Sequence, residues 1–438
     1  MFSHNGKISE KQMRRMLVLS TFASSIFVLP YLSAKLYGEN ITTGLLVFLL
    51  FAAIYVGCIY GLGAWYQRRW GRESETFMQE TPGMAGAFAA SGFGGKVLAL
   101  IQLLRMLVRL AFYIVLSIKI LGEAQVPFMQ DGDSGNVMNL LVVLPLLLVA
   151  LYGAAQGNGE GSSVNDKKNT SFGQNYGLGT AVEKQGRLHE MIFWVLFVPF
   201  IIMILFGLKE VDYTVFVPQF TMSAWTMLLY SYALLTFILP VENYLYLRPV
   251  LREHRLITEK NPDGEGRGRI LKKRRTNVWV SYMAIWFVIA LSAVLSLFML
   301  GIYGVRGAGN EEMVTIAIMR YIRLPLGVLE RFDVLMVWFF MTGCFLLICS
   351  TLFYAGSLFR ILCNHIKRIW LLLTVLVLAV IAVVLLPEYG HTLIIFLCYG
   401  AALDIPLSLL VPLLGMGLSG RHLEEMEEDD EPMKGEPA

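Results

Sequence analysis

The chain alternates between long apolar runs and short charged breaks. Ten runs reach roughly 17 residues or more, which at about 1.5 Å per residue is enough to cross a bilayer core about 30 Å thick. Because lipid cannot hydrogen-bond the backbone, each run is predicted to be a helix that satisfies its own backbone groups. The predicted spans are approximately 16–36, 41–63, 98–121, 138–154, 189–208, 222–250, 278–300, 334–357, 369–387 and 391–416.

The composition agrees with a membrane protein. Hydrophobic residues make up 56% of the 438 residues and charged residues only 16%, whereas soluble domains carry about 25% charged residues. An aromatic content of 12% is typical of chains that meet lipid headgroups. These values exclude a disordered protein, a small disulfide scaffold and a nucleic-acid binder with a basic surface. The chain is predicted to be an all-α, multi-pass integral membrane protein.

No residue pattern points to catalysis, a metal or a cofactor. The five cysteines contain no CxxC pair and the six histidines are scattered, so neither a disulfide framework nor a metal site is predicted. The sequence contains no P-loop, HExxH, nucleophile-elbow or dinucleotide-binding pattern. We therefore expect a protein that is not an enzyme and uses no cofactor.

The distribution of lysine and arginine predicts the orientation. The N-terminal segment 1–15 and the loop 251–276 are rich in basic residues, whereas the loop 122–137 has none. Because basic residues favour the cytoplasmic side, both termini are predicted to be cytoplasmic. The basic loop 251–276 is predicted to rest on anionic lipid, or to act only as a topology determinant.

Between and beyond these segments the predicted organisation is simple. Residues 16–420 form the transmembrane domain. Within it, the polar segment 158–181 has too few apolar residues to fold and is predicted to be a disordered insertion. Residues 421–438 form an acidic tail that is predicted to be solvated and disordered.

Two arginines lie at membrane depth in the third predicted span. Arg105 and Arg109 are four residues apart and therefore share a helix face. A charge at this depth is costly unless it is paired or hydrated. One interpretation is that Arg109, and Arg105 beside it, border a cavity and hold a carboxylate. The other is that the arginines pair with Glu242 or Asp404 between helices. The same helix face carries three more polar residues and so forms a polar stripe. They are Gln102, Tyr113 and Ser117.

The first and sixth spans carry features that interrupt helices. Pro240 lies inside the sixth span, and proline removes a backbone hydrogen bond and clashes with the preceding turn. In the first span, small polar residues that can satisfy an opened backbone precede Pro30. They are Thr21, Ser24 and Ser25. A simple proline kink and close packing of small residues are the alternatives.

The interrupted spans predict where a ligand would bind. Breaks in the first and sixth spans indicate two inverted five-helix repeats with a site at the midplane. Opened helices present N–H groups and a positive dipole end, which suit the carboxylate of an amino acid. The predicted ligand-binding residues are Thr21, Ser24, Ser25, Arg109, Tyr232, Leu239, Val241 and Glu242. The predicted ion- or proton-coupling residues are Glu242, Asp404 and Arg105.

Four stretches, in their order and spacing, carry a family resemblance. They are Lys7-Ile8-Ser9-Glu10-Lys11-Gln12 with Phe27-Val28-Leu29-Pro30, the stretch from Val182 to Glu190, Glu242 followed by Pro249, and Leu329-Glu330-Arg331-Phe332-Asp333 leading into Trp338. Together they resemble the endospore germination permeases. These are the B subunits of spore germinant receptors, a branch of the amino acid–polyamine–organocation transporters. The chain departs from the family at Ala23-Ser24-Ser25, where members usually carry glycine.

The resemblance implies a fold and a function. The fold is amino acid transporter-like, with ten transmembrane helices in two inverted five-helix repeats and with helices 1 and 6 interrupted. The function is that of a germinant-sensing subunit in the spore inner membrane, which binds a small amino-acid-like ligand and works with the receptor A and C subunits. One alternative is a proton- or cation-coupled amino acid permease, and another is a scaffold or ion-conducting subunit that binds no ligand. Neither a nucleic acid nor a metal is implied.

Overall fold

The structure is a computed structural model of the 438-residue chain. It describes residues 8–73, 84, 87–88, 91–123, 143–145, 147–151, 178–248, 251, 278–321, 332–362, 368–385 and 389–429. Most of this part of the chain is helical. Outside the helices, Ile8 and Leu251 form an isolated parallel bridge.

The helices follow the apolar runs of the sequence. The first are α1 (Glu10–Ile26), α2 (Leu29–Tyr37), α3 (Ile41–Glu73), α4 (Gly92–Glu123) and α5 (Leu178–Gly207). Then come α6 (Ala224–Leu234), a 3-10 stretch (Leu235–Asn243), α7 (Tyr244–Leu247), α8 (Val278–Tyr303), α9 (Val305–Ala308) and α10 (Val314–Tyr321). The last are α11 (Phe332–Leu362), α12 (Arg368–Leu385), α13 (Tyr389–Tyr399), a π-helical turn (Gly400–Asp404) and α14 (Ile405–Asp429).

Six stretches of the described residues are long and apolar enough to cross a membrane. They are Leu29–Tyr66, Gly92–Gly122, Ala224–Leu247, Val278–Tyr303, Val337–Phe359 and Tyr389–Leu418. This finding supports an all-helical integral membrane protein. The fourth predicted span lies largely outside the described residues, although 143–145 and 147–151 are helical. The ten-helix count and the inverted repeats stay predictions.

The α-helix is interrupted in the first and sixth predicted spans. In the first, α1 ends at Ile26 and α2 begins at Leu29, so two residues separate them. In the sixth, α6 is followed by nine residues of 3-10 helix that contain Pro240. Such a run is unusual, because 3-10 segments beyond three or four residues are uncommon and often mark a hinge or strain.

The last predicted span is also irregular. Its π-helical turn, Gly400–Asp404, lies just before Pro406, and proline cannot supply the N–H that the preceding turn of an α-helix requires. A side chain at Gly400 would collide with the side chain of Thr236 in the 3-10 stretch. Glycine therefore lets the π-helical turn pack directly against the 3-10 stretch.

Two boundaries differ from the sequence prediction. Helix α14 extends to Asp429, so the first part of the tail 421–438, predicted to be disordered, is helical. Its Glu and Met residues are good helix formers, which favours continuation of the apolar helix. Helix α5 begins at Leu178, within the predicted insertion 158–181. The rest of that insertion, the basic loop from 252 and residues 430–438 lie outside the described residues.

Helix α1 lies at the centre of the bundle. It packs against α5, α8, α11 and the 3-10 stretch, and every residue from Met16 to Ile26 is buried. A helix that is buried all round belongs to the core rather than to the lipid-facing surface. Beside it, α4 packs along α11 in the most extensive helix pair of the described residues.

Candidate functional site

Four charged side chains meet in the middle of the bundle. Arg105 and Arg109 lie at the midpoint of α4, Glu242 lies in the 3-10 stretch, and Asp404 lies in the π-helical turn. Their side chains are only 0–3% exposed. We refer to these four residues as the charge cluster. It links the third, sixth and tenth predicted spans, and two of its three supporting segments are not α-helical.

Arg105 is bound to both acids. Its Nε donates to Oδ1 of Asp404 at 2.7 Å, and its Nη2 donates to Oε2 of Glu242 at 2.8 Å. The same Nη2 reaches the backbone carbonyl oxygen of Asp404 at 3.0 Å, and Nη1 donates to Oε1 of Gln102. Arg105 is thus bound to both the backbone and the side chain of the π-helical turn.

Arg109 is bound to the same two acids from the next turn of α4. Its Nε donates to Oδ2 of Asp404 at 2.8 Å, and its Nη2 donates to Oδ1 of Asp404 at 2.9 Å and to Oε2 of Glu242 at 3.0 Å. Asp404 therefore accepts N–H groups from both arginines on Oδ1, and from Arg109 on Oδ2 as well. The pairing interpretation of the two arginines describes this structure.

The hydrogen bonds define the charge state of the cluster. Oε1 of Gln102 accepts from Arg105, which only donates, so its Nε2 is the atom that donates to Oε1 of Glu242. All four carboxylate oxygens of Glu242 and Asp404 thus accept N–H groups. A protonated carboxyl would need an acceptor for its own O–H group. We therefore assign both acids as ionised, and the cluster has no net charge.

Pro30 explains the break in the first span. In a continuous α-helix the N–H of residue 30 would bind the carbonyl oxygen of Ile26, but proline has no N–H. The hydroxyl of Thr315 in α10 donates to that oxygen at 3.0 Å instead. The carbonyl that the proline leaves free is therefore satisfied by a side chain from another helix.

Pro240 produces a matching arrangement in the sixth span. In a 3-10 helix the N–H of residue 240 would bind the carbonyl oxygen of Phe237, and proline again cannot donate. The hydroxyl of Ser24 in α1 donates to this oxygen at 2.5 Å. The two irregular segments are thus joined directly, because a predicted ligand residue of the first span satisfies a backbone group of the sixth.

The other predicted residues of the first span lie close to this junction. Ser25 and Ser292 of α8 share a hydrogen bond of 3.0 Å. Thr21 is fully buried, and its hydroxyl has no hydrogen-bond partner among the described residues. An unpartnered buried hydroxyl is uncommon in proteins. It makes Thr21 the residue of this group with capacity for a further hydrogen bond.

The predicted residues of the sixth span divide into two groups. Leu239 and Val241 are buried in the 3-10 stretch, three residues and one residue before Glu242. Tyr232 lies earlier, in α6, and is partly exposed. The hydrogen bonds described for the charge cluster do not include Tyr232.

In this structure the cluster is closed. A cavity of ≈ 10 Å³ lies near the start of α1, where its lining includes Glu10, Tyr244 and Ser281. A volume of this size holds about one water molecule, and its lining contains no residue of the charge cluster. Because the side chains of the charge cluster are only 0–3% exposed, binding of a ligand there requires helices to move apart.

Sequence reasoning missed three residues that complete the site. Ser292 comes from a predicted span without charged residues in its interior, Thr315 lies between the predicted spans 278–300 and 334–357, and Gly400 carries no functional group. Pro30 and Pro240 do show which carbonyls are freed. The hydroxyls that satisfy these carbonyls depend on helix packing, which the sequence pattern does not give.

Comparison with known protein families matches a segment that does not contain the charge cluster. No curated protein matches the chain. The matched segment, residues 269–389, is a little over a quarter of the 438 residues. It contains α8 to α12, with Ser292 and Thr315, but no residue of the charge cluster. Over this segment, the chain is similar to the permease family described as spore germination protein.

Proposed function

We propose that the protein is the membrane-embedded germinant-sensing subunit of a spore germination receptor, and that it binds a small amino-acid-like ligand in the middle of the membrane. The family match at residues 269–389 supports the germination role. The charge cluster is the observation that carries the ligand-binding role. Ionisable residues at mid-membrane are rare, and they commonly mark the path of a ligand or an ion.

The elements around the cluster suit a receptor that changes conformation. Helix backbone that is not α-helical is tolerated in membranes where protein buries it or where it lines a cavity. Here the 3-10 stretch and the π-helical turn each contribute one acid to the cluster. A ligand that pairs with these charges would favour a separated arrangement of the helices, because a ligand shifts an equilibrium by its differential affinity for the two states.

The proposal includes a location and partners. We propose that the chain lies in the spore inner membrane with both termini cytoplasmic, and that it works with the receptor A and C subunits. Basic residues near the N-terminus support this orientation. Adjacent genes for both partner subunits, and co-purification with them, would support the assembly.

Binding is tested with the purified full-length chain. Thermal unfolding is measured with each of the twenty amino acids, since saturation at about 100 times Kd stabilises a protein by about 2.7 kcal/mol. We expect at least one amino acid to stabilise the wild type, and Arg109→Gln and Glu242→Gln to lose the effect. Thr374→Ala, on the exposed face of α12, is the control that keeps it. Stabilisation by no amino acid would overturn the ligand-binding role and favour a scaffold.

A proton- or cation-coupled permease would use the same site, and the buried acids Glu242 and Asp404 are the observation that favours it. Uptake of labelled amino acid into proteoliposomes separates the two functions. A receptor subunit binds its ligand without net uptake, and restores germination of deficient spores only together with its partner subunits. Uptake by the chain alone, driven by a proton or sodium gradient, would establish the permease instead.

A further inference from the structure

The charge cluster is electrically balanced and sealed. It contains two guanidinium groups and two carboxylates at 0–3% exposure, and the N–H donors on every carboxylate oxygen assign both acids as ionised. An uncompensated charge in such surroundings is strongly unfavourable. Any ligand that enters must therefore leave the balance at zero.

We propose that this site selects its ligands by net charge and accepts zwitterions, in which one anionic and one cationic group replace contacts that the cluster makes with itself. The inference rests on the proposed ligand-binding function and specifies its substrate class. A zwitterion exchanges one internal ion pair for two pairs with the ligand, so every charge keeps a partner. An anion or a cation of the same size leaves one buried charge unpaired.

The two arginines have different capacities for a ligand carboxylate. A guanidinium has five N–H groups. Arg105 uses four of them, on Nε, Nη1 and Nη2, and one holds the backbone of Asp404. Arg109 uses three, on Nε and Nη2, and within the described part of the chain its Nη1 makes no hydrogen bond. Arg109 is therefore the group that receives the carboxylate.

Tyr113 extends this donor group by one helical turn. It lies four residues after Arg109 on α4, so the two side chains share a face. Tyr113 is buried, and the hydrogen bonds described for the chain include none from its hydroxyl. Nη1 of Arg109 and the Tyr113 hydroxyl are thus two donors for one carboxylate.

Glu242 completes the exchange. Its Oε2 is shared by Nη2 of Arg105 and Nη2 of Arg109. When Arg109 turns toward the ligand carboxylate, this oxygen loses one of its two guanidinium donors. The ammonium group of the ligand replaces that donor, so that the carboxylate of Glu242 keeps two cationic partners.

The test begins with the wild-type full-length chain in lipid nanodiscs. Kd is measured for each amino acid with an uncharged side chain that stabilises the chain in the thermal screen, for its amide, which carries one positive charge, and for its N-acetyl form, which carries one negative charge. For whichever parent binds, we expect both charged derivatives to bind at least about tenfold more weakly. A derivative that binds as tightly as its zwitterion overturns the charge rule and leaves ligand binding intact. Binding of none of the twenty amino acids overturns both the charge rule and the ligand-binding role.

Charge-changing variants supply a readout that a merely structural role would not give. Glu242→Gln gives the cluster one net positive charge, so the preference should shift at least about tenfold toward the N-acetyl anion. Arg109→Gln should shift it as far toward the amide. Tyr113→Phe, which leaves the charge unchanged, should weaken binding without altering the order. Unaltered orders in both charge variants would overturn the rule, and if a variant does not fold the wild-type series decides alone.

Discussion

Each charged side chain of the cluster depends on the others. A buried ion pair adds little stability over an apolar pair of the same volume, but removal of one partner leaves a buried charge without compensation. Asp404 holds N–H groups from both arginines. Its carboxylate accepts three arginine N–H groups, whereas the carboxylate of Glu242 accepts two.

Replacement of Asp404 by asparagine should lower the free energy of unfolding by about 3–5 kcal/mol, the cost of breaking a buried pair. Reversible unfolding in mixed micelles measures the change. Asp212→Asn is the matched control, because Asp212 is exposed and accepts from the backbone N–H of Thr214 at 3.0 Å through an oxygen that asparagine retains. The control should show no measurable change. Equal losses in the two variants would show that Asp404 is not energetically part of a buried cluster.

The composition of the cluster could be predicted from the sequence, but its connections could not. Arg105, Arg109, Glu242 and Asp404 stand out because ionisable residues are rare in long apolar runs. Which N–H meets which oxygen depends on the rotation of three helices about their axes. Gln102 binds both Glu242 and Arg105 as a result of this packing. A helical stripe of polar residues does not specify these contacts.

At the scale of elements, the two irregular spans use the same device. A proline removes one backbone donor, and a hydroxyl from another helix satisfies the carbonyl that is left. Thr315 does this for Ile26, and Ser24 does it for Phe237. The hydroxyls thereby fix the relative positions of the helices they join, because an unsatisfied buried carbonyl would otherwise carry a cost.

A double-mutant cycle tests this device. Ser24→Ala should destabilise the protein by about 1–3 kcal/mol, because the carbonyl of Phe237 loses its donor in a buried site. Pro240→Ala supplies an N–H within the 3-10 stretch that can satisfy the same carbonyl. In that background Ser24→Ala should cost at least about 1 kcal/mol less. Strictly additive effects in unfolding titrations would mean that Ser24 does not compensate for Pro240.

Glycine at the contact between the π-helical turn and the 3-10 stretch gives a second prediction at this scale. Gly400→Ala should destabilise the protein by about 1–3 kcal/mol, because the methyl group collides with Thr236. Gly417→Ala is the control, since Gly417 is a helical residue with no atom within 4 Å of an added Cβ, and alanine favours a helix there. The control should unfold at the same temperature or higher. A harmless Gly400→Ala would contradict the close packing of the two segments.

The elements themselves were largely predictable. The described helices coincide with nine of the ten apolar runs, because a chain in lipid has few alternatives to helix. The nine-residue length of the 3-10 stretch was not predictable, since one proline accounts for a break but not for its extent. The helical continuation to Asp429 was missed because charge suggested disorder where helix propensity prevailed.

At the scale of the whole molecule, a line of buried side chains leads from the charge cluster to the end of the bundle opposite the start of α1. Tyr113 follows Arg109 by one turn of α4, and the buried Cys344 lies on α11, which packs along α4. At the far end, Lys119 binds Glu312 at 2.9 Å, with both side chains about one third exposed. At the end where α1 begins, Arg15 binds Glu190. Each end of the bundle thus carries a partly exposed ion pair.

Cys344 reports which end opens, because it is fully buried on α11, which packs along the helix that carries Arg109 and Lys119. With the other cysteines replaced by alanine, Glu312→Gln should raise its rate of modification by a water-soluble methanethiosulfonate by about two- to fivefold, as expected for a partly exposed pair. Glu190→Gln, the matched change at the other end, should leave the rate unchanged. If only Glu190→Gln accelerates labelling, the path to the charge cluster runs from the end where α1 begins. Equal rates in all three proteins would show that neither ion pair closes a path to Cys344.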